Sequence, residues 1–240
     1  MMTQPMRIQR ALARAGVASR RHAEELIAAR RVQVNGEVAR IGQSVNPAVD
    51  IITVDGNTIT APRSAEWLVL HKPAGVMTTR ADPEGRPTVF DLVPQSPGLT
   101  YVGRLDYLTE GVLLFTTDGA AANRLSHPSG EVERTYVATV RGPAEEAARR
   151  AAHGVQLEDG FAKPRDVEAR SLGKGRWELE LTITEGRKRE VRRLCKALGL
   201  TVERLVRTRF GPVTLGTLPA GETRQLTRRE RDLIEAITRP

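Results

Sequence analysis

The chain has 240 residues, of which 40% are hydrophobic and 28% charged, a balance that supports a packed core and excludes a wholly disordered chain. A single cysteine, Cys195, excludes an internal disulfide framework, and no apolar run reaches the roughly eighteen residues of a membrane span. The net charge is 37 − 29 = +8, carried by 32 arginines and only five lysines, which favours a nucleic-acid partner because arginine binds phosphate in bidentate fashion. The alternative is a coding bias toward arginine with a solvated basic surface.

Two short helices are predicted at the start of the chain. Ile8, Leu12 and Ala15 form one helical stripe. Ser19 has the character of an N-cap for a second helix, whose buried face carries Leu26. The N-terminus lacks the apolar stretch of a secretory signal, so we expect a cytoplasmic protein.

Hairpins are predicted to follow these helices. Alternating residues around Asn35-Gly36 indicate a hairpin with a type I′ turn, and the apolar run before Asp55-Gly56 indicates another. Residues 60–65 read TAPRSA, a composition typical of a linker. We therefore predict one domain over residues 1–62 and a second over residues 63–240.

The first domain resembles the S4 RNA-binding domain, on the string RIQRALARAGVASRRHAEELIAARRVQVNGEV. The resemblance implies a helix pair and a small sheet that recognise folded RNA through its backbone and shape. The alternative is an amphipathic helix pair with a solvated basic face. The arginines predicted to form the RNA-binding face are Arg7, Arg10, Arg14, Arg20, Arg21, Arg30 and Arg31.

The second domain is predicted to have an α+β fold, with a largely antiparallel mixed sheet flanked by helices. Strands and helices alternate without the regular spacing of βαβ units. Strands are predicted at Trp67–Leu70, Val112–Thr116, Thr135–Val140 and Trp177–Thr184, and helices near 119–126, 144–153, 188–198 and 227–237.

Cofactor and metal motifs are missing from the sequence. It contains neither GxGxxG nor GxxxxGK[ST], and the four histidines are scattered without ligand spacing. Cys195 lies in a predicted helix and is interpreted as a core residue. We therefore expect no cofactor and no metal.

Asp106 is the first candidate for chemistry, within GRLDYLTEG and just before the buried strand VLLFTT. A carboxylate between a turn and a buried strand is held rigidly, as a reacting group requires. Taken alone, the three letters RLD predict only a surface pair of Arg104 and Asp106.

Five ordered strings together resemble the pseudouridine synthases that act on ribosomal RNA one site at a time. Besides GRLDYLTEG they are KPAGV, NRLSHP, ERTYV and EGRKREVRRL. The strings GVQLEDG and TEGRKREVRRL are most similar to the large-subunit members, type B. Two positions depart from the family: Leu108 replaces a polar or acidic residue, and Cys195 replaces a larger side chain.

The resemblance implies isomerisation of uridine to pseudouridine in ribosomal RNA, with the target base extruded from its stack. It assigns Asp106 as the catalytic carboxylate, acting either at ribose C1′ or in forming a glycal. It implies that Tyr136 stacks on the uracil and moves a proton, and that Arg192 pairs with Asp106 and keeps it ionised. Arg104 would fill the place of the extruded base, and Lys72 would have a structural or an RNA-facing role.

A basic segment from Arg187 to Arg209 holds nine basic and two acidic residues, a local charge of 9 − 2 = +7. It is predicted to bind phosphates, and the expected partner is structured ribosomal RNA or a pre-ribosomal particle, bound by a monomer away from membranes. Two alternatives stay open: a non-catalytic RNA-binding assembly factor, and a hydrolase that releases free uracil. The residues predicted to contact RNA in this domain are Lys72, Arg104, Arg187, Lys188, Arg189 and Arg193.

Overall fold

The computed structural model describes residues 5–60 and 65–239, which fall into two compact units. The first unit is Met1–Trp67 with Gln95–Thr100 and Phe115–Ala120, and the second holds the remaining segments. The predicted domain boundary between residues 62 and 63, with most of the predicted linker, lies outside the described residues. Across the described ranges, no helix has both the length and the apolar character needed to cross a bilayer.

Residues 5–60, within the first unit, hold two helices and six short strands. A four-stranded sheet has the order β3-β2-β5-β6, and β1 pairs with β4. Their bounds are β1 Met6–Arg7, α1 Ile8–Arg14, α2 Arg20–Ala28, β2 Val32–Val34, β3 Glu37–Val38, β4 Ser44–Val45, β5 Ile52–Val54 and β6 Asn57–Thr58.

Local signals in the sequence account for these elements. The Ser19 hydroxyl accepts a hydrogen bond from the His22 N–H at 3.2 Å, which confirms the predicted N-cap of α2. Asn35 and Gly36 both have positive φ, 53° and 87°, as a type I′ turn between β2 and β3 requires. The helices pack on the sheet through a core of their own that includes Leu12 and Leu26.

The second part of the chain holds four helices and eleven strands. Their bounds are β7 Trp67–Lys72, β8 Thr100–Val102, β9 Glu110–Thr116, α3 Gly119–Ser126, β10 Arg134–Arg141, α4 Ala144–His153, β11 Val155–Leu157, β12 Gly160–Ala162, β13 Asp166–Gly173, β14 Arg176–Ile183, α5 Glu190–Ala197, β15 Thr201–Phe210, β16 Val213–Thr214, β17 Thr223–Gln225 and α6 Arg228–Thr238, with 3-10 turns at Val89–Asp91 and Pro128–Gly130. The four predicted helices and four predicted strands are all present within two residues of their predicted bounds.

The main sheet has nine strands: seven follow the path β13-β14-β10-β15-β9-β7-β17, β16 pairs with β15, and β8 pairs with β9. Strand β10 pairs antiparallel with both β14 and β15, whereas β9 runs parallel to β15. The predicted α+β class with a largely antiparallel mixed sheet is therefore confirmed. Cys195 is fully buried on α5, as predicted for a core residue.

A close approach of two strands fixes the start of β9. Gly111 has φ +109° and lies opposite Arg207, and a Cβ at this position would stand 2.1 Å from the Arg207 carbonyl oxygen. Only glycine fits there. Because Asp106 precedes Gly111 by five residues, this contact sets where the loop that carries Asp106 enters the sheet.

Candidate active site

Asp106 lies on the loop 103–109, between β8 and β9, and is half-buried. Five successive carbonyls of this loop, from residue 105 to residue 109, each accept a hydrogen bond. The donors are the Thr78 hydroxyl to Leu105 (2.8 Å), the Thr109 N–H to Asp106 (3.0 Å), the Gly75 N–H and the Lys72 ammonium to Tyr107 (2.8 and 3.2 Å), the Arg192 guanidinium to Leu108 (2.9 Å), and Lys72 to Thr109 (2.9 Å).

These bonds hold the backbone and leave the carboxylate available. The Asp106 side chain receives no hydrogen bond and no ion pair within 4 Å from the residues that the structure describes. Its charge nevertheless acts on two cations, Lys72 and Arg192. A rigid, unpaired carboxylate next to positive charge is the arrangement that nucleophilic or acid–base chemistry needs.

Lys72 is fully buried at the end of β7 and beneath the loop. Its three ammonium hydrogens match three carbonyl acceptors, those of Pro73, Tyr107 and Thr109, at 2.8, 3.2 and 2.9 Å. Burial lowers the pKa of Lys72 to about 8, although the charges of Asp106 and Glu110 oppose that shift. The prediction that Lys72 contacts RNA is therefore corrected: a side chain without exposed surface anchors the loop instead.

Arg192 lies in the first turns of α5 and reaches the loop through a bond to the Leu108 carbonyl. Partial burial lowers its pKa, as does the neighbouring charge of Arg189, while the charge of Asp106 opposes them. The predicted pair between Arg192 and Asp106 is not a direct one in this structure. The guanidinium is hydrogen-bonded to the carbonyl of Leu108, two residues beyond Asp106. Its interaction with the Asp106 carboxylate is a longer-range attraction between charges.

Tyr136 lies on β10 with 8% of its surface exposed, opposite Leu181 on one side and Arg207 on the other. Gly111, Arg207 and Tyr136 thus form one row across three adjacent strands. This row places Tyr136 two strands away from the strand that begins after Asp106. Ala138, two residues further along the same face of β10, is also buried.

Two buried arginines next to Tyr136 were not anticipated from the sequence. The guanidinium groups of Arg134 and Arg207 lie 5.3 and 5.0 Å from the centre of the Phe210 ring. The Nε of Arg207 donates to the Val112 carbonyl at 2.9 Å, and its buried Nη2 has no partner among the described residues. Burial lowers the pKa of Arg134, against the opposing effect of Tyr136.

A β-bulge explains why alternation does not reveal Arg207. Thr135 pairs with Arg209 but Tyr136 pairs with Arg207, so Thr208 is the extra residue. The bulge turns Arg207 onto the face of Tyr136 and leaves Arg209 on the other face, where it bonds to the Thr135 hydroxyl at 3.1 Å. Strict alternation would have put both arginines on one surface.

The basic segment is only partly available to phosphate. Arg193 makes two bonds of 2.7 Å to the Asp159 carboxylate, which lower the pKa of Asp159 to about 2. Arg187 bonds to Glu185 and to the Phe161 carbonyl, the latter at 2.7 Å. These two arginines attach α5 to the hairpin of β11 and β12, so their predicted RNA contacts would have to compete with protein carboxylates.

The later arginines of this segment are engaged as well. Arg204 forms a bidentate pair with Glu110 at 2.9 and 2.8 Å, and Arg209 pairs with Glu133 at 3.0 Å. Arg207 is buried, so a continuous phosphate-binding surface from Arg187 to Arg209 is wrong. Lys188 and Arg189 are exposed and make no ion pair with a described residue.

Most of the other predicted RNA contacts are exposed, but Arg14 is partly buried and Arg31 forms two bonds, of 2.8 and 2.6 Å, to the Asp55 carboxylate. Arg104 lies on the surface two residues before Asp106, and Arg7 and Arg10 are exposed on the first unit. Arg20 and Arg21 occupy the first turn of α2, where positive charge opposes the helix dipole and destabilises the helix. A bound phosphate would reverse that effect, which fits the predicted role of these two residues.

Comparison with known proteins relates the chain to characterised families. Residues 66–197 match the family described as RNA pseudouridylate synthase, and residues 6–51 match the S4 domain. The ribosomal large subunit pseudouridine synthase B of Pseudomonas aeruginosa is 49% identical over 238 residues, covering 95% of this chain and 61% of the relative. The protein of the same name from Shigella flexneri is 47% identical over 244 residues, covering 95% of this chain and 83% of the relative.

One solved structure supports the same relationship at the level of the whole chain. It is described as the crystal structure of pseudouridylate synthase and shares 28% sequence identity with a TM-score of 0.65. The match covers 95% of this chain and 99% of that one. The similarity therefore extends over the S4 region and the region that carries Asp106.

Proposed function

Because this chain belongs to the RNA pseudouridylate synthase family and carries an S4 domain, we propose that it isomerises uridine to pseudouridine in large-subunit ribosomal RNA. Two relatives named for the large ribosomal subunit, at 49% and 47% identity, support this substrate. The observation that carries the proposal is the Asp106 carboxylate, which is unpaired and lies on a loop bonded at five successive carbonyls.

The proposed reaction leaves the composition of the RNA unchanged. The bond between C1′ and N1 of uridine breaks, a bond between C1′ and C5 forms, and a proton leaves C5 while N1 gains one. No net oxidation occurs. A carboxylate suits this chemistry because it either adds to C1′ or takes a proton as a glycal forms, and Asp106 performs one of these two steps.

Access to the base requires extrusion from the RNA stack, which costs a few kcal/mol. The exposed Arg104 fills the space that the base leaves. Phosphate contacts from Lys188, Arg189 and the S4 arginines offset that cost. The residues assigned to chemistry, Asp106, Tyr136 and Arg192, all belong to one chain, so the proposed reaction needs only a monomer on its RNA.

Removal of the charge on Asp106 tests the proposal. Asp106→Asn keeps the size of the side chain, and we expect the single-turnover rate to fall by at least ~10²-fold with RNA affinity nearly unchanged. The assay is tritium release from C5-labelled uridine in transcribed large-subunit ribosomal RNA. Substantial turnover by the variant contradicts the assignment. Release of free uracil by the wild type would instead indicate a hydrolase. Tight RNA binding that yields neither pseudouridine nor free uracil would indicate a non-catalytic assembly factor.

Tyr136 is proposed to stack on the extruded uracil and to move a proton through its hydroxyl. Tyr136→Phe keeps the ring, so loss of a proton-transfer group lowers the single-turnover rate by ~10²-fold while affinity holds. Tyr136→Leu also removes the stacking face. If the residue serves only the core, Phe is fully active and Leu loses stability and activity together. Thermal melts beside single-turnover assays of both variants distinguish these roles.

A further inference from the structure

The exposure of side chains changes abruptly along the loop that carries Asp106. Leu105 and Thr109 are buried at either end of the loop's central turn. Between them, Tyr107 is 41% exposed and Leu108 is 56% exposed. Single exposed apolar residues are common on protein surfaces, but two in succession directly after a candidate catalytic carboxylate are unusual.

The backbone holds these two side chains at the surface. The Tyr107 carbonyl is bound by the Gly75 N–H and by Lys72, and the Leu108 carbonyl is bound by Arg192. Turning Tyr107 inward would break the bond to the buried Lys72 ammonium, and turning Leu108 inward would break the bond to Arg192. The exposure is therefore built into the loop.

Two arginines lie near this apolar pair. Arg192 lies against the Leu108 carbonyl, and the charge of the exposed Arg189 acts on Arg192. Arg86 also interacts with Tyr107, but its guanidinium is bonded to the Asp82 carboxylate at 3.0 and 2.8 Å and pairs with Glu84, so its charge is already engaged. An aromatic ring and an apolar side chain among arginines are what unstacked nucleobases bind in single-stranded nucleic acid.

We propose that Tyr107 and Leu108 form a stacking platform for the unpaired nucleobase adjacent to the target uridine. The proposal rests on the proposed function, because extrusion of the target base deprives its neighbours of a stacking partner. The platform replaces that partner with an aromatic ring and an aliphatic side chain.

A double-mutant cycle between protein and RNA tests the platform. The RNA is one large-subunit fragment, either intact or with an abasic residue on the 5′ or the 3′ side of the target. We expect Tyr107→Ala to weaken binding of intact RNA about tenfold and Leu108→Ala about threefold, as removal of base stacking predicts. With one of the two abasic RNAs, the wild type and both variants should bind with the same affinity, because neither side chain then has a base to contact.

A matched control uses Leu172, which is 46% exposed at the far end of β13. Leu172→Ala should leave affinity for all three RNAs unchanged, and thermal melts should show that all variants are folded. The platform is overturned if Tyr107→Ala and Leu108→Ala each weaken binding by the same factor on the intact RNA and on both abasic RNAs. It is also overturned if Leu172→Ala weakens binding as much as they do. Wild-type formation of pseudouridine on intact RNA is scored first. If no pseudouridine forms, the proposed function and the platform are both overturned. If pseudouridine forms but each protein substitution weakens binding equally on intact and abasic RNA, only the platform is overturned.

Discussion

The loop of Asp106 and the basic segment at the start of α5 are fixed by opposite kinds of contact. The loop is bonded through its carbonyls, by buried donors such as Lys72 and Thr78, and its acidic and apolar side chains stay available. The basic segment is bonded through its side chains, since Arg187 and Arg193 are engaged by Glu185, Asp159 and backbone carbonyls.

This difference separates groups that act on a substrate from groups that build the surface around it. A side chain whose backbone is fixed keeps its own chemistry for a ligand, because no protein group competes for it. An arginine that is paired with a carboxylate contributes structure first. Net charge alone therefore overstates how many cations of the basic segment meet RNA; Lys188, Arg189 and Lys196 are exposed and make no ion pair with a described residue.

Among the substitutions predicted here, removal of the Lys72 ammonium should have the largest effect on the loop of Asp106 and on the single-turnover rate. Lys72→Met leaves the carbonyls of Pro73, Tyr107 and Thr109 without their donor, so the backbone around Asp106 loosens. We expect the single-turnover rate to fall by ~10²-fold with RNA affinity within about twofold of wild type. Lys163→Met, at an exposed lysine, is the control. Wild-type turnover by Lys72→Met would show that the loop does not need its anchor.

The same lysine gives a pH test in which activity and stability move in opposite directions. Its pKa is about 8 in the folded chain, below its ordinary value of 10.5. As pH rises through about 8, the neutral amine has two hydrogens for three carbonyls, so turnover should fall. Over the same range the unfolded chain binds more protons than the folded one, so the contribution of Lys72 to the free energy of unfolding rises with pH.

Comparison with Lys72→Met isolates both effects. The turnover rate of this variant, although low, should not fall as pH rises through about 8. The unfolding free energy of the wild type relative to the variant should increase between about pH 8 and about pH 10. Burial raises the pKa of Cys195 to about 12, which lowers stability above its ordinary pKa of 9.0, but that contribution is common to both proteins and cancels. A stability difference that falls with pH contradicts the assignment.

Substitution of Arg192, which links the loop of Asp106 to α5, should have an intermediate effect on the single-turnover rate. Arg192→Lys keeps the positive charge but loses the planar guanidinium that bonds to the Leu108 carbonyl. We expect the single-turnover rate to fall about tenfold, the loss of one charged hydrogen bond, while affinity changes little. Arg189→Lys is the matched control, because Arg189 is exposed and keeps its charge in the variant. Equal rates for the two variants would mean that the guanidinium fork at Arg192 has no special role.

Local patterns in the sequence were sufficient for the helices and for some of the strands, whereas β13 and the long β15 were not predicted. Ser19 caps α2, and Asn35 with Gly36 makes the predicted turn, because capping and turn chemistry act between neighbours in the chain. The position of Asp106 before a buried strand was likewise readable. The catalytic roles assigned to Asp106, Tyr136 and Arg192 remain predictions, since they came from family resemblance and await kinetic tests.

Contacts between distant parts of the chain were not readable. The string KPAGV does not indicate that Lys72 is buried, because its acceptors include carbonyls 35 and 37 residues further along. The face that Arg207 occupies depends on a bulge opposite β10, which a strand pattern does not reveal. Arg193 is paired with Asp159, 34 residues before it, so a count of charges could not show that it is engaged.

The smallest expected effects concern the basic segment, and they sharpen the contrast between paired and unpaired cations. Arg189→Ala and Lys188→Ala should each weaken RNA binding a few-fold and reduce the salt dependence of log affinity by about one unit per lost phosphate contact. Arg193→Ala should change that slope little and lower the melting temperature slightly, because it removes the pair with Asp159. Asp159→Asn tests the opposite change, because it keeps the side chain's size but removes the negative charge that pairs with Arg193 and Arg187. Both arginines would then be available to phosphate, so RNA binding at low salt should become stronger. The measurement is a salt titration of RNA affinity with all four variants. If Arg193→Ala and Arg189→Ala lower the slope equally, Asp159 does not withhold Arg193 from the RNA, and the whole segment acts as one phosphate-binding surface.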